Sequence, residues 1–94
     1  MQIQWTKNAN HNLDQIEEFI TQDNPFAAID TVIKIIKTVE ALSEHPAMGR
    51  VGRIHNTREL IIAGTPYIIA YRVKAKNIQI LRVLHSSMQW PDIL

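Results

Sequence analysis

The sequence predicts an α+β domain of two layers in the order β-α-α-β-β-β, with a helical hairpin packed on one face of a mainly antiparallel sheet. Three observations predict it. Apolar residues between Thr6 and Ser43 recur at spacings of three and four, the period of amphipathic helices. Asn24-Pro25 splits that stretch in two, and helices joined by so short a connection must lie antiparallel. From Thr57 to His85 the chain turns to β-branched and aromatic residues, broken twice by turn formers, the pattern of an antiparallel meander.

Each element has its own reason. Gln2 to Trp5 alternates polar and apolar side chains, which makes a short half-buried strand. Thr6 or Asn8 caps the first helix. Its stripe is Ala9, Leu13, Ile16 and Ile20, widened by Phe19, and it stops between Thr21 and Asp23. Asn24 caps the second helix. Pro25 suits its first position because the missing N–H would be unpaired there anyway. Ala28, Ile29, Val32, Ile35, Ile36, Val39 and Leu42 form a stripe wide enough to touch both the first helix and a sheet. That helix runs to Leu42 or Ser43, and Pro46 ends it. Ala47 to Asn56 has two glycines and little periodicity and reads as a loop. Its repeated Gly-Arg pair, Gly49-Arg50 and Gly52-Arg53, either brings amides and guanidinium groups to an anion or belongs to an ordinary loop. Three strands follow at Thr57–Ile62, Tyr67–Val73 and Ile78–His85. Ala63–Pro66 and Lys74–Asn77 turn between them. Both faces of the last strand are mostly apolar, so it is central. In the tail, Ser86 to Leu94, Pro91 blocks a further strand and Trp90 is large enough to dock back on the body.

Composition bounds the function. At 94 residues the expectation is one domain, residues 1–94. There are no cysteines, so disulfides and thiolate metal sites are excluded. No apolar run of signal-peptide or membrane-spanning type occurs, which makes the cytoplasm the expected compartment. Net charge is only +1, but it is unevenly spread. Seven of the nine acidic residues lie between Asp14 and Glu44, while Arg50, Arg53, Arg58, Arg72, Lys74, Lys76 and Arg82 crowd the second half. That half either meets an anionic partner or carries its charge to keep a sheet edge from aggregating.

No Gly-rich phosphate loop, nucleophile elbow or carboxylate pair appears, and the four histidines have no metal-ligand spacing. No cofactor or metal is expected. Strand alternation puts Ile78, Ile80, Arg82 and Leu84 on one face and Gln79, Leu81, Val83 and His85 on the other, so Arg82 and His85 part unless a bulge intervenes. Tyr67, Ile69, Tyr71 and Val73 oppose Ile68, Ala70 and Arg72. Arg58, Leu60 and Ile62 oppose Glu59 and Ile61. His85 is either a general acid or base or a hydrogen-bonded residue closing the sheet. Arg58, next to Glu59, is either half of an ion pair or part of an anion site. An enzyme built here would be metal-independent and work with arginine and histidine.

The ordered set of motifs is similar to one known family. It comprises Asn24-Pro25 with Ala27-Ala28, Leu42 and Pro46 with Met48-Gly49-Arg50, Thr57-Arg58-Glu59-Leu60, Tyr67-Ile68-Ile69-Ala70-Tyr71-Arg72-Val73, and Ile80-Leu81-Arg82-Val83-Leu84-His85-Ser86-Ser87-Met88. In these the chain resembles the RelE/ParE superfamily, the toxins of bacterial type II toxin–antitoxin pairs, over almost its whole length. The resemblance implies a toxin held by a cognate antitoxin. One branch, ParE-like, poisons DNA gyrase. The other, RelE-like, cuts messenger RNA in the ribosomal A site and carries Arg-Leu-Val-Tyr in its middle strand, with the arginine at the scissile phosphate. Here the matching residues are Ile68-Ile69-Ala70-Tyr71, and an isoleucine can neither bind transition-state charge nor donate a proton. The last motif and Tyr71-Arg72-Val73 also look closer to the ParE-like branch. The reading is therefore a ParE-like gyrase inhibitor with Arg50, Arg53, Arg58, Arg82, His85 and Trp90 as target contacts. The alternative is a ribosome-dependent endoribonuclease with His85 as acid or base and Arg58 or Arg82 on the phosphate, since some RNA-cutting relatives place a histidine at this strand end. A second alternative is a degenerate, non-toxic member that only binds antitoxin.

Overall fold

In the computed structural model, which describes residues 1–94, the elements follow the predicted order with one short strand added. They are β1 (Gln2–Trp5), α1 (Lys7–Thr21), α2 (Pro25–Ala41), β2 (Arg50–Val51), β3 (Arg58–Ile61), β4 (Tyr67–Lys74) and β5 (Asn77–His85). One five-stranded sheet runs β1-β5-β4-β3-β2. β1 lies parallel to β5, and the other three pairings are antiparallel.

Local chemistry sets the helix starts. The Thr6 hydroxyl oxygen accepts the Ala9 N–H at 3.2 Å, and the hydroxyl proton goes to the Ile80 carbonyl at 2.8 Å. Thr6 therefore both caps α1 and ties its start to β5. Asn24 accepts the Ala27 N–H at 3.1 Å, and Pro25 opens α2. The helical hairpin lies on one face of the sheet. Ile35 and Val39 from its second helix and Leu42 at that helix's C-cap meet Ile62, Ile69, Tyr71, Ile78 and Ile80, all buried in one cluster.

The loop Ala47–Asn56 contains a strand that its sequence did not announce. β2 is two residues long, too short to show a period, and it pairs Arg50 with Glu59 and Val51 with Arg58. Tyr71 holds the loop from below. Its hydroxyl donates to the Pro46 carbonyl and accepts the Gly49 N–H, each at 2.8 Å. A Cβ on Gly49 would lie 2.7 Å from that hydroxyl, so only glycine lets the backbone come this close.

The face assignment on β5 needs one correction. Tyr71 pairs with Ile80 but Ala70 pairs with Arg82, so Leu81 is an extra residue, a bulge. The bulge shifts the alternation by one. Ile78, Ile80 and Val83 all enter the core under the helices. Arg82 and Leu84 turn to the outer face instead of sharing one with Ile78 and Ile80. His85 stays opposite Arg82, because the bulge precedes both.

The outer face is not bare. Ile68, Ala70, Leu81 and Leu84 are buried there although the helices lie on the other side. The tail reaches two of them: Trp90 and Pro91 border Leu84, while Ile93 and Leu94 border Leu81 together with Ile54.

Candidate functional site

The outer sheet face gathers charge around one buried carboxylate. Glu59 on β3 sits between Arg50 on β2 and Ala70 on β4, and Ala70 in turn pairs with Arg82 on β5. Glu59 is only 3% exposed. Arg50 Nη2 lies 3.2 Å from Oε1, and Arg53 Nε lies 3.2 Å from Oε2. The Arg53 backbone N–H also donates to Oε2 at 2.7 Å. Burial pushes the Glu59 carboxyl up. The backbone and side-chain hydrogen bonds from Arg53 and the one from Arg50 outweigh it and hold the group below its ordinary value. Glu59 is thus a fixed anion and not a proton carrier.

Trp90 completes the cluster. The Arg53 guanidinium carbon stands 3.6 Å above its ring, close enough for a cation–π contact. Trp90 Nε1 and Arg82 Nε are both buried without a hydrogen-bond partner. Arg72, on the same face, donates to the Gln79 side chain at 2.6 Å. Four arginines therefore share this face with one carboxylate. The side chains of Arg50 and Arg53 remain 56% and 49% exposed, so their free N–H donors reach solvent. Such a surface suits an anionic partner.

The sequence-predicted site residues divide between two faces. Arg50, Arg53, Arg82 and Trp90 come together on the outer face. Arg58 and His85 do not join them. Arg58 lies beside Tyr71 on the helix side and spends its guanidinium on the Gly49 carbonyl at 2.7 Å. It makes no pair with Glu59, which is its neighbour in sequence but points the other way. His85 packs edge-on to Tyr67, ring centroids 5.5 Å apart, and its Nδ1 accepts the Ser87 N–H at 3.1 Å. It lines a cleft of about 200 Å³ with Asn12, Phe19 and Met88. Burial raises the phenols of both Tyr67 and Tyr71 above their ordinary value. The Gly-Arg pairs do not form an open anion nest, because the Gly49 N–H goes to Tyr71 and the Arg53 N–H to Glu59. Sequence reasoning missed Glu59 as the pivot and Arg72 as a member. Period-two alternation placed both correctly, but nothing local showed that β2 would deliver Arg50 to Glu59.

Comparison with known proteins gives matches of three kinds. Residues 3–90 match the family model described as the ParE toxin of type II toxin–antitoxin system, parDE. A protein of Sinorhizobium fredii carrying the name "Putative toxin Y4kP" is 48% identical over 92 residues, 98% of this chain and 95% of its own length. A solved structure described as the chromosomal ParDE TA system from P. aeruginosa superposes with a TM-score of 0.83 at 31% identity. That match covers 90% of this chain and 95% of the other.

Proposed function

The chain belongs to the ParE toxin family of type II toxin–antitoxin systems, and on that premise we propose that it inhibits DNA gyrase in the cytoplasm and is neutralised by a cognate antitoxin. The choice of target rests on Ile68. The RNA-cutting branch of the superfamily places an arginine there, at the scissile phosphate. Here the position holds a buried isoleucine between Ile61 on β3 and Leu84 on β5. A buried hydrocarbon supplies neither charge nor a proton to a phosphoryl transfer. The other nuclease candidates stand apart: Arg82 faces outward, while His85 and Arg58 are occupied on the helix side.

On this reading Arg50, Arg53, Arg82 and Trp90 contact the target, and Arg72 joins them. The gyrase surface they meet is anionic. Arg58 holds the loop and His85 anchors the tail. The test is a supercoiling assay with purified gyrase, the wild-type chain and an Arg50→Ala/Arg82→Ala variant. Inhibition by wild type and its loss in the folded variant support the reading. Equal inhibition by both would remove the outer face from the contact. A chain inert toward gyrase and toward messenger RNA would be the degenerate, antitoxin-binding member.

A further inference from the structure

At the other end of β4 from Ile68, two cavities adjoin. One, of about 640 Å³, opens beside Arg72 and Lys74 of β4 and the turn His55–Thr57. The other, of about 570 Å³, runs from the same turn and Arg72 to Lys7 and Asn8 at the start of α1. His55, Asn56, Thr57 and Arg72 line both, so the two form one cleft of two lobes. Each lobe has the size of a small-ligand site.

The charge of this cleft is one-sided. Lys7, His55, Arg72 and Lys74 line it, and no aspartate or glutamate side chain does. The ion pairs of the molecule use Lys34, Arg50 and Arg53 instead. Arg58 also borders the cleft, but its guanidinium is spent on the Gly49 carbonyl. Arg72 is half-buried and held in place. Its Nε donates to the Gln79 side chain at 2.6 Å, which leaves both terminal nitrogens for another acceptor. The turn is held as well. The Thr57 N–H goes to the Ile54 carbonyl at 3.2 Å and the Gly52 N–H to the Thr57 carbonyl at 2.8 Å. Cations gathered round one hollow repel one another, and a bound anion relieves that repulsion. Donors come from β4, the turn and α1. One guanidinium fork satisfies a planar carboxylate, whereas the tetrahedral oxygens of a phosphate take donors from several sides. The second lobe adds an apolar floor of Ile54, Leu81, Ile93 and Leu94, and Ile93 is 83% exposed. Asn8 and Asn56 stand beside it with amides that both donate and accept.

We propose that this cleft binds a nucleoside phosphate. The phosphate sits between Arg72 and His55, with Lys7 on one side and Lys74 on the other, and the base lies over Ile54, Leu81 and Ile93. A free nucleotide and one nucleotide of a single strand share that chemistry. The site is independent of the gyrase contact: only Arg72 belongs to both, and binding is measured without gyrase.

The probes are deoxyadenosine monophosphate, inorganic phosphate, deoxyadenosine and a single-stranded oligodeoxyadenylate of about eight nucleotides. Each is titrated into the nitrogen-15-labelled chain, and the backbone amide signals are followed by NMR. The monophosphate is expected to saturate with a Kd below about 1 mM, moving the amides of His55, Asn56 and Arg72 and leaving those of α2 in place. Phosphate alone and deoxyadenosine alone bind at least about fivefold more weakly, because each fills one lobe. Arg72→Gln and Lys7→Gln each weaken the monophosphate at least about fivefold, and Lys37→Gln on α2 leaves it unchanged. Binding also weakens as salt rises. The same spectra show whether each variant is folded, and Lys7 is exposed, so its variant keeps the fold. An oligomer that binds more tightly than its number of nucleotides explains assigns the phosphate to a strand, and one that does not assigns it to a free nucleotide. No saturation by the monophosphate, equal binding of phosphate alone, or indifference to both Arg72→Gln and Lys7→Gln would overturn the proposal. So would shifts centred on Arg50 and Arg53, because the anion would then belong to the cluster around Glu59.

Discussion

Replacing Glu59 by glutamine tests the outer-face cluster directly. Glutamine keeps the shape and one acceptor oxygen, so the Arg53 N–H can still be satisfied. It removes the charge that holds two guanidinium groups. Charge-assisted hydrogen bonds contribute about 1.5–3 kcal/mol each, but Arg50 and Arg53 are about half exposed and solvent screens them. The expected loss is therefore about 1–2 kcal/mol at neutral pH, or roughly 4–12 °C in Tm for a chain of this size. Urea denaturation measures it. The pH dependence follows from linkage. The folded-state pKa of Glu59 is depressed, so its contribution is fully present above the unfolded value and lost as pH falls through the folded one. The gap between wild type and Glu59→Gln should hold from neutral pH down to about pH 5 and close below the ordinary carboxylate range. Equal stability at neutral pH, or a gap that persists at about pH 2, would refute the account of Glu59 as an ionised pivot.

Other expectations concern the parts that hold this face in place. Tyr71→Phe strands the buried Gly49 N–H and leaves the Pro46 carbonyl one donor short, which should cost about 1–3 kcal/mol in a denaturation experiment. Gly49→Ala drives a Cβ against the same hydroxyl and should cost about as much, with little relief from pairing it with Tyr71→Phe, because the Glu59 carbonyl is also only 2.9 Å away. Arg53→Ala uncovers the Trp90 ring, so tryptophan emission should shift to the red while Trp5 provides a constant background. Tyr67 and Tyr71 have raised phenol pKa values, so they lend stability below the ordinary tyrosine range and lose it as pH climbs past about 10.

What was legible in the sequence was local or periodic. Asn24-Pro25 announced the second helix because capping and the missing proline N–H act within one turn. The strands β3, β4 and β5 were legible because alternation and turn residues repeat along the chain. The bulge at Leu81 was not, since both faces of β5 are apolar and a one-residue slip leaves the hydrophobic pattern almost unchanged. β2 was hidden for a different reason: two residues pair only because β3 is already there to receive them. The site suffered from the same limit. Each arginine was visible, but Arg58 and Arg53 reach opposite faces through tertiary pairing. The docking of Trp90 on the outer face depends on its contact with Arg53, far away in sequence.

The claim that matters most is that this family member acts on gyrase and leaves messenger RNA intact. One paired measurement tests it: the purified chain is added to gyrase with supercoilable DNA and, in parallel, to ribosomes translating a defined message. The account predicts blocked supercoiling or trapped, cleaved DNA with the message uncut. Cuts in the message at the ribosomal A site, with gyrase turning over normally, would contradict it.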